Sequence, residues 1–596
     1  FADSSKAIFG AGSDLQIYHD GSRSIIQDNG TGNLRIQANN LELNNADNSE
    51  NYLFAANNGA VTLYYDNAEK LATSATGVDI TGTAVTDGVT VAGNLSVDGG
   101  SIKLDGNYPT GTANVALGDA AFDSVTSGAA NVAIGASALT ANTSGTGNTG
   151  VGYNSLISHS TGSFNTAVGN QSLYSNTTAS DNTAVGYQSL YLNTTGAANT
   201  AMGVFALKAN TTGNNNAAFG RYALFSATTA TENTALGSAA LYTNTTGADN
   251  VAVGHAALLL NTTGNYNVSM GKDALRSNTT ANSNTGVGYL ALTANTTGAD
   301  NTAVGAAALD ANTTGGSNAA LGQGALSENT TGSNNTAIGR LASLNSSTAS
   351  YVTTVGFQAG HSNTAGGLVA IGHSSAYNNT ASSVVAVGSN ALYSNTSGTR
   401  NTGVGDAVLY SQTTANYNTA LGYNAMYNTT TGSNSTAVGY RAGYNNTTAG
   451  ALDAFGFEAA LSNTTGDSIS AHGTQALYSN TTGNYNSAFG REALHSNTTA
   501  SNNTAVGYQA GYANTTGTLN TFVGKEASRL NTTGNSNTSM GYQALEDTTT
   551  GSSNTAIGLQ ALNKNTTASN NTAVGYQAAY STTTGSYSTS VGYQAH

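Results

Sequence analysis

The sequence predicts an all-β chain, most of it a parallel β-solenoid built from coils of about 17 residues. Two observations predict this. The phrase Asn-Thr-Ala-Val-Gly, with variations, returns at a nearly fixed interval, and its returns are followed by turn-forming clusters of the Asn-Thr-Thr-Gly kind. A fixed period is the signature of a repeat architecture in which one supersecondary unit stacks on the next. A period this short cannot hold a helix pair, and the Gly and Asn in every unit would weaken helices severely.

The Gly of the phrase sets the register. It falls at Gly118, Gly135, Gly152, Gly169, Gly186, Gly203 and Gly220, onward by seventeens to Gly356, then at Gly372 and Gly388, then by seventeens from Gly405 to Gly592, giving 29 repeats. One unit, residues 182–198, reads NTAVGYQSLYLNTTGAA. Counted from the Gly, position −1 is bulky and apolar, −2 is usually Ala, +4 is usually Leu, and +7 to +10 read Asn-Thr-Thr-Gly. A short β run thus alternates with a corner, where Gly and Asn tolerate left-handed backbone. Stacked at about 4.8 Å per coil, the array would form a rod on the order of 140 Å long. Equivalent side chains would then form columns, and the Asn at −4 (Asn165, Asn182, Asn199, Asn216) could bond its own copies above and below.

The motif strand carries apolar or small groups on both faces, whereas a lone solenoid needs only one buried face. Position −4 even turns apolar at Val352, Leu368, Val384, Leu452 and Ile469. These features lead to the expectation of a homotrimer whose small-residue faces pack around an axis. The two sixteen-residue spacings within 352–388 mark an irregular zone expected to bend or loosen the rod.

Residues 1–105 stand apart from the array at 106–596. They hold thirteen acidic and five basic residues, a net −8 of the chain's −14. Alternating stretches at Leu15-Gln16-Ile17-Tyr18, Leu34-Arg35-Ile36-Gln37 and Val61-Thr62-Leu63-Tyr64 read as strands of a β-rich shaft or attachment segment. Pro109 lies near its junction with the first coil.

Two resemblances enter on these residues. NTAVGYQSL and NVAIGASAL resemble the head repeats of trimeric autotransporter adhesins, which implies a trimeric left-handed parallel β-roll; the unit here is longer, with extra residues in the Asn-Thr-Thr-Gly corner. KAIFGAGSDLQIYHDGSRSIIQDNGTGNLRIQ and LYYDNAEKLATSATGVDITGTAVTDGVTVAGNLSVDGG resemble stretches of tail-fibre and other virion proteins of marine phages. That resemblance implies a virion fibre with other virion or filament proteins as partners, a host-surface glycan or protein as receptor, and a virion or extracellular location. A bacterial trimeric surface adhesin or extracellular filament that binds glycans or matrix is the alternative.

Composition narrows the chemistry. Charged residues are 8% of the chain, Gly is 73, Pro is 1 and Cys is 0, so disulfides, thiolate ligands and Cys nucleophiles are excluded. The acidic balance argues against nucleic acid or an anionic membrane as main partner. No run of eighteen apolar residues predicts a membrane span. The chain opens at Phe1 and stops in mid-coil at Tyr593-Gln594-Ala595-His596, so further chain is expected at both ends.

No enzyme, cofactor or metal is expected. His255 and His373 share position +1 but lie about 34 Å apart along such a rod, and His361 and His495 share +5 at a similar remove, whereas a metal needs ligands within a few ångströms. His159, His472 and His596 occupy other positions, and Asp249 and Asp300 are isolated. GTGNTGVG (145–152) lacks the Lys-Ser/Thr and helix of a phosphate loop. Asn-x-Thr triplets such as Asn176-Thr177-Thr178 match glycosylation acceptors but have a turn explanation. Tyr153, Tyr187, Tyr289, Tyr423, Tyr508 and Tyr576 at +1 form a surface stripe able either to stack on carbohydrate or to pack on the corner. An ice-binding face needs Thr-x-Thr, but here the Thr are adjacent, as at Thr194-Thr195.

Overall fold

The computed structural model describes residues 2, 4–75, 77–81 and 112–596, which form two compact units, 1–103 and 104–596. The expected boundary near residue 105 and Pro109 lie outside the described residues. All regular structure among the described residues is strand and turn.

The first unit holds two antiparallel meanders. One pairs β1 (Lys6–Phe9), β2 (Leu15–His19) and β3 (Ser24–Asp28); the other runs β4 (Leu41–Asn44), β5 (Asn51–Ala55), β6 (Val61–Tyr65), β7 (Ala68–Ser74) and β8 (Gly77–Ile80). The predicted strands at Leu15 and Val61 are present. The one predicted at Leu34–Gln37 is not: that stretch links the two sheets with no ladder to join, and Leu34 and Ile36 are exposed. Alternation alone makes a strand only where an edge is free to pair.

The second unit is a parallel ladder from β9 (Val115–Leu117) to β37 (Thr589–Val591), each strand paired with the next in sequence order. The first strand pairs only with its successor and the last only with its predecessor, so the ladder is open rather than a closed barrel. The pairing step is seventeen: Thr183 faces Thr200, Ala184 faces Ala201 and Val185 faces Met202. Coils also bond away from the strand. Leu190 N–H donates to Ala206 O (3.0 Å), Leu192 N–H to Lys208 O (3.0 Å) and Thr194 N–H to Thr211 O (2.9 Å). Corners as well as strands therefore satisfy their backbone groups on the neighbouring coil, as buried backbone requires.

Four positive-φ positions recur in each coil, the first of them five residues before the register Gly, as at Asp181 (φ +61°). The register Gly186 has φ +133°, Gln188 +52° and Leu190 +50°. Position 0 is confined to Gly for a further reason: a Cβ on Gly186 would lie 2.6 Å from Gly203 O of the next coil. At +4 the left-handed backbone is held by Leu despite its cost, because that conformation drives the side chain into the interior.

The interior is narrow. Ala184 at −2, Ser189 at +3, Leu190 at +4, and Asn182 and Asn193 are fully buried, while Thr183 and Val185 point outward. This corrects the expected packing. Strand alternation sends −4 and −2 into the coil's own core and −3 and −1 out, so the small residues cannot form a contact between chains. The bulky −1 column does face outward: Leu236, Met270 and Leu321 are 49%, 44% and 50% exposed.

The apolar residues at −4 also have a different cause. Val352, Leu368, Val384, Leu452 and Ile469 each follow a coil whose +4 residue is small: Ser343, Gly360, Ala376, Gly443 and Ala460. They are fully buried and supply the missing volume; a Cβ on Gly360 would lie 3.0 Å from Leu368 Cδ2, and one on Gly443 2.8 Å from Leu452 Cδ2. Small polar residues at +4 also gain a polar partner at the following −2. Ser343 Oγ and Thr354 Oγ1 share a buried hydrogen bond of 3.0 Å, and Ser528 Oγ donates to Ser539 Oγ at 3.0 Å.

The zone 352–388 does not loosen the ladder. Thr353 pairs with Val369 and Leu368 with Val384, a step of sixteen, and the strands lengthen to Leu368–Ile371 and Val384–Val387. The deletion is absorbed at the corner, where Asn363 Nδ2 donates to Ala365 O two residues on; Asn193 Nδ2 in a regular coil reaches Gly196 O three residues on.

The same volume rule links Phe522 at −2 with Gly511 at the preceding +4, where a Cβ would lie 2.7 Å from Phe522 Cε2. Phe522→Ala should leave a cavity costing about 3–5 kcal/mol, and Gly511→Leu should overpack the coil by about 1–3 kcal/mol. The double variant, which restores the common Leu/Ala pair, should be more stable than either single one; amide exchange across 507–524 measures the difference.

Candidate functional site

The positions that could carry function are columns, because every side chain in the array is repeated one coil away. Two are buried Asn columns. Within the −4 column, Asn182 Nδ2 donates to Asn165 Oδ1 (3.2 Å) and to Gly196 O (3.0 Å), and its backbone N–H donates to Asn165 Oδ1 (3.1 Å). Asn199 and Asn216 repeat the pattern, at 3.2 and 3.0 Å between side chains. Sequence reasoning missed a second column at +7, where Asn193 Nδ2 donates to Asn176 Oδ1 (2.8 Å) and Asn210 Nδ2 to Asn193 Oδ1 (2.7 Å). The signal was present, since the Asn of Asn-Thr-Thr-Gly recurs as regularly as that of Asn-Thr-Ala-Val-Gly. The −4 column ties the strand to the corner, and the +7 column closes the corner on itself and on the next coil.

His159 occupies the +7 column. It is fully buried, its Nε2 donates to Gly162 O (2.8 Å), and Asn176 Nδ2 donates to its Nδ1 (2.9 Å). That arrangement requires a neutral ring. Burial accordingly pushes its pKa below 6.5, opposed by the bond to Gly162.

The predicted Tyr stripe lies on the surface, with Tyr153 54% and Tyr508 38% exposed and Tyr187, Tyr289, Tyr423 and Tyr576 between them. It is discontinuous. Tyr423 stacks on Tyr440 (5.5 Å), Tyr440 on Phe457 (5.1 Å), and Tyr576 on Tyr593 (4.9 Å). A longer stack, missed from sequence, runs at +5: His361, Tyr377, Tyr393, Tyr410, Tyr427 and Tyr444, with centroids 4.7–5.3 Å apart and planes within 13°. Desolvation and the neighbouring Tyr410 and Tyr444 hydroxyls raise the Tyr427 pKa. Rings stacked face to face present edges, not faces, to solvent.

Charged side chains pair along the rod. Arg529 Nε lies 3.1 Å from Glu546 Oε1, and Lys564 Nζ 2.8 Å from Asp547 Oδ2. Gln509 Nε2 donates to Glu492 Oε2 (2.6 Å), the main reason the Glu492 pKa falls. Desolvation lowers the pKa of both His361 and His495. Thr194 and Thr195 do point different ways: Thr194 Oγ1 donates to Thr211 O (2.9 Å), while Thr195 is exposed. Within the single chain, no group of three or more His, Asp or Glu among the described residues could hold a metal ion. No described helix is long and apolar enough to cross a membrane.

These features define the chain as a parallel β-solenoid repeat protein whose surface is a set of columns. Comparison with known proteins returns no matching family model, no similar curated protein and no similar solved structure.

The His159 environment makes a pH prediction. A ring whose pKa is depressed by folding binds fewer protons in the folded state, so its contribution is present above 6.5 and is lost as pH falls through 6.5 toward the folded value. Protection of the amides in the coils around 159 and 176, taken relative to their intrinsic exchange rates, should fall on acidification. His159→Asn, the residue usual at +7, should remove that local dependence.

Proposed function

We propose that the chain is a structural fibre protein of a virion, a tail fibre whose solenoid forms an elongated rod for host attachment. The observation that supports this most is the unbroken ladder from Val115–Leu117 to Thr589–Val591, in which strands, corners and buried Asn columns bond from coil to coil. At about 4.8 Å per coil such a ladder provides reach and axial stiffness. The phage-like phrases of the first unit add the virion context and imply attachment to other virion proteins at one end and a host-surface glycan or protein as receptor.

Self-association, as a homotrimer, belongs to the same reading, with the −1/−3 strand face as the contact in place of the small-residue face. This face is apolar at −1 along nearly its whole length and carries Thr, Val, Ala or Ser at all but one −3 position. A strip of this length and one strand wide covers on the order of 1,400 Å² per chain, more than the ~800 Å² per partner of a standard interface. The adhesin reading is favoured by one feature, the exposed Tyr153 and Tyr289, whose rings stack on no neighbouring aromatic. Immunolabelled electron micrographs of the native particle should show the array projecting from a virion; label on a bacterial envelope would favour the adhesin.

The association has its own test. Sedimentation equilibrium of the full chain should give three copies, and a Leu236→Asp/Met270→Asp variant should weaken association while keeping its β circular dichroism, since burying unpaired carboxylates costs several kcal/mol. A wild-type monomer would overturn the self-association reading.

A further inference from the structure

The outward strand face has one carboxylate and one imidazole in its whole length, and they are diagonal neighbours. Asp453 is the only charged residue at −3, and His472 the only polar residue at −1. Asp453 lies on the strand Leu452–Phe455 and His472 on the strand Ile469–His472, which pair directly; Asp453 faces Ser470, and Phe455 faces His472. Leu452, Ala454, Ile469 and Ala471 fill the core, so alternation turns both Asp453 and His472 outward.

The site is held more firmly than its surroundings. These two coils pair over four residues where three is usual, because Leu452 and Ile469 extend the strands inward. The His472 ring is clamped between Phe455 (4.6 Å) and Phe489 (4.8 Å). The two phenyl rings are tilted 34° and 36° to the imidazole and flank it on both sides, leaving its edge, with both nitrogens, free to bond. Among the described residues, neither the Asp453 nor the His472 side chain has a hydrogen-bond or ion-pair partner. Buried in an interface, an unpartnered imidazole and carboxylate would each cost free energy. On a monomer's surface, neither would need the framing.

We infer that His472, together with Asp453, forms a transition-metal site completed only when copies of this chain associate through the −1/−3 face. The inference rests on the self-association proposed above. Association about an axis parallel to the rod places one His472 from every copy at the same height, so three copies present three imidazoles, the donor set that Zn²⁺ accepts in tetrahedral sites with one position left over. Asp453, one coil away on the same face, then serves as a further ligand or accepts the N–H of the ring nitrogen that is not coordinated. Imidazole donors select Zn²⁺, Cu²⁺ or Ni²⁺ over Mg²⁺ and Ca²⁺. A metal here would pin the axial register of the copies, which a face of repeating coils leaves free to slip by whole coils.

The test uses the full chain, stripped with a chelator and then equilibrated with Zn²⁺ alone, with mass from sedimentation and metal from elemental analysis on the same samples. One Zn²⁺ per trimer is expected, falling at least tenfold in His472→Val, which keeps the trimer and carries the residue commonest at −1. Asp453→Thr should retain the trimer and weaken Zn²⁺ binding. Trimers that bind no Zn²⁺, or His472→Val trimers that bind as much as wild type, would overturn the metal site and leave self-association standing. A wild-type monomer would overturn both.

Discussion

Everything in the array depends on one constraint, that each coil is roofed and floored by a copy of itself at a fixed chain separation. Parallel pairing at a step of seventeen places Thr on Thr and Ala on Ala, and through most of the array it places buried Asn on buried Asn. The consequence reaches past the strands. Left-handed backbone at Gln188 and Leu190 would be a liability in an isolated turn, yet here it is held by hydrogen bonds to the coils on either side. Stability is therefore a property of adjacent pairs, as in other one-dimensional assemblies.

The interior shows how such an array tolerates change. A coil that loses its Leu at +4 is followed by one that gains volume at −4 or −2, as with Gly443 and Leu452 or Gly511 and Phe522. Where the volume is not restored, polarity is matched instead, as with Ser528 and Ser539. The unit conserved in packing is therefore half of one coil and half of the next, which the repeat as written in sequence cuts in two.

Much of this was legible from the residues. The period, the register Gly and the Asn column at −4 follow from counting, because a solenoid turns sequence period directly into spatial column. What could not be read was which strand face points inward. Ala at −2 and Val at −1 fit either side of a single strand, and the decision lies with Leu at +4, which folds back over Ala only because the backbone there is left-handed. The expectation that small residues pack between chains failed for that reason. The strand expected at Leu34 failed for another: pairing needs a partner edge, and no local pattern reports one. The Tyr stack at +5 was open to the same counting, since Tyr393 and Tyr410 lie one coil apart, and only its ring geometry needed the structure.

The uniform step has a consequence for inheritance. Since each coil meets only its two neighbours, and the corner at Asn363 shows that even a one-residue loss can be healed locally, gain or loss of a whole coil that keeps the volume-matched pairs together changes chiefly span. Recombination between similar coding units would thus adjust the rod in increments of about 4.8 Å wherever no matched pair such as Gly443 and Leu452 is split. Reach becomes a trait that selection can tune without inventing a single new contact.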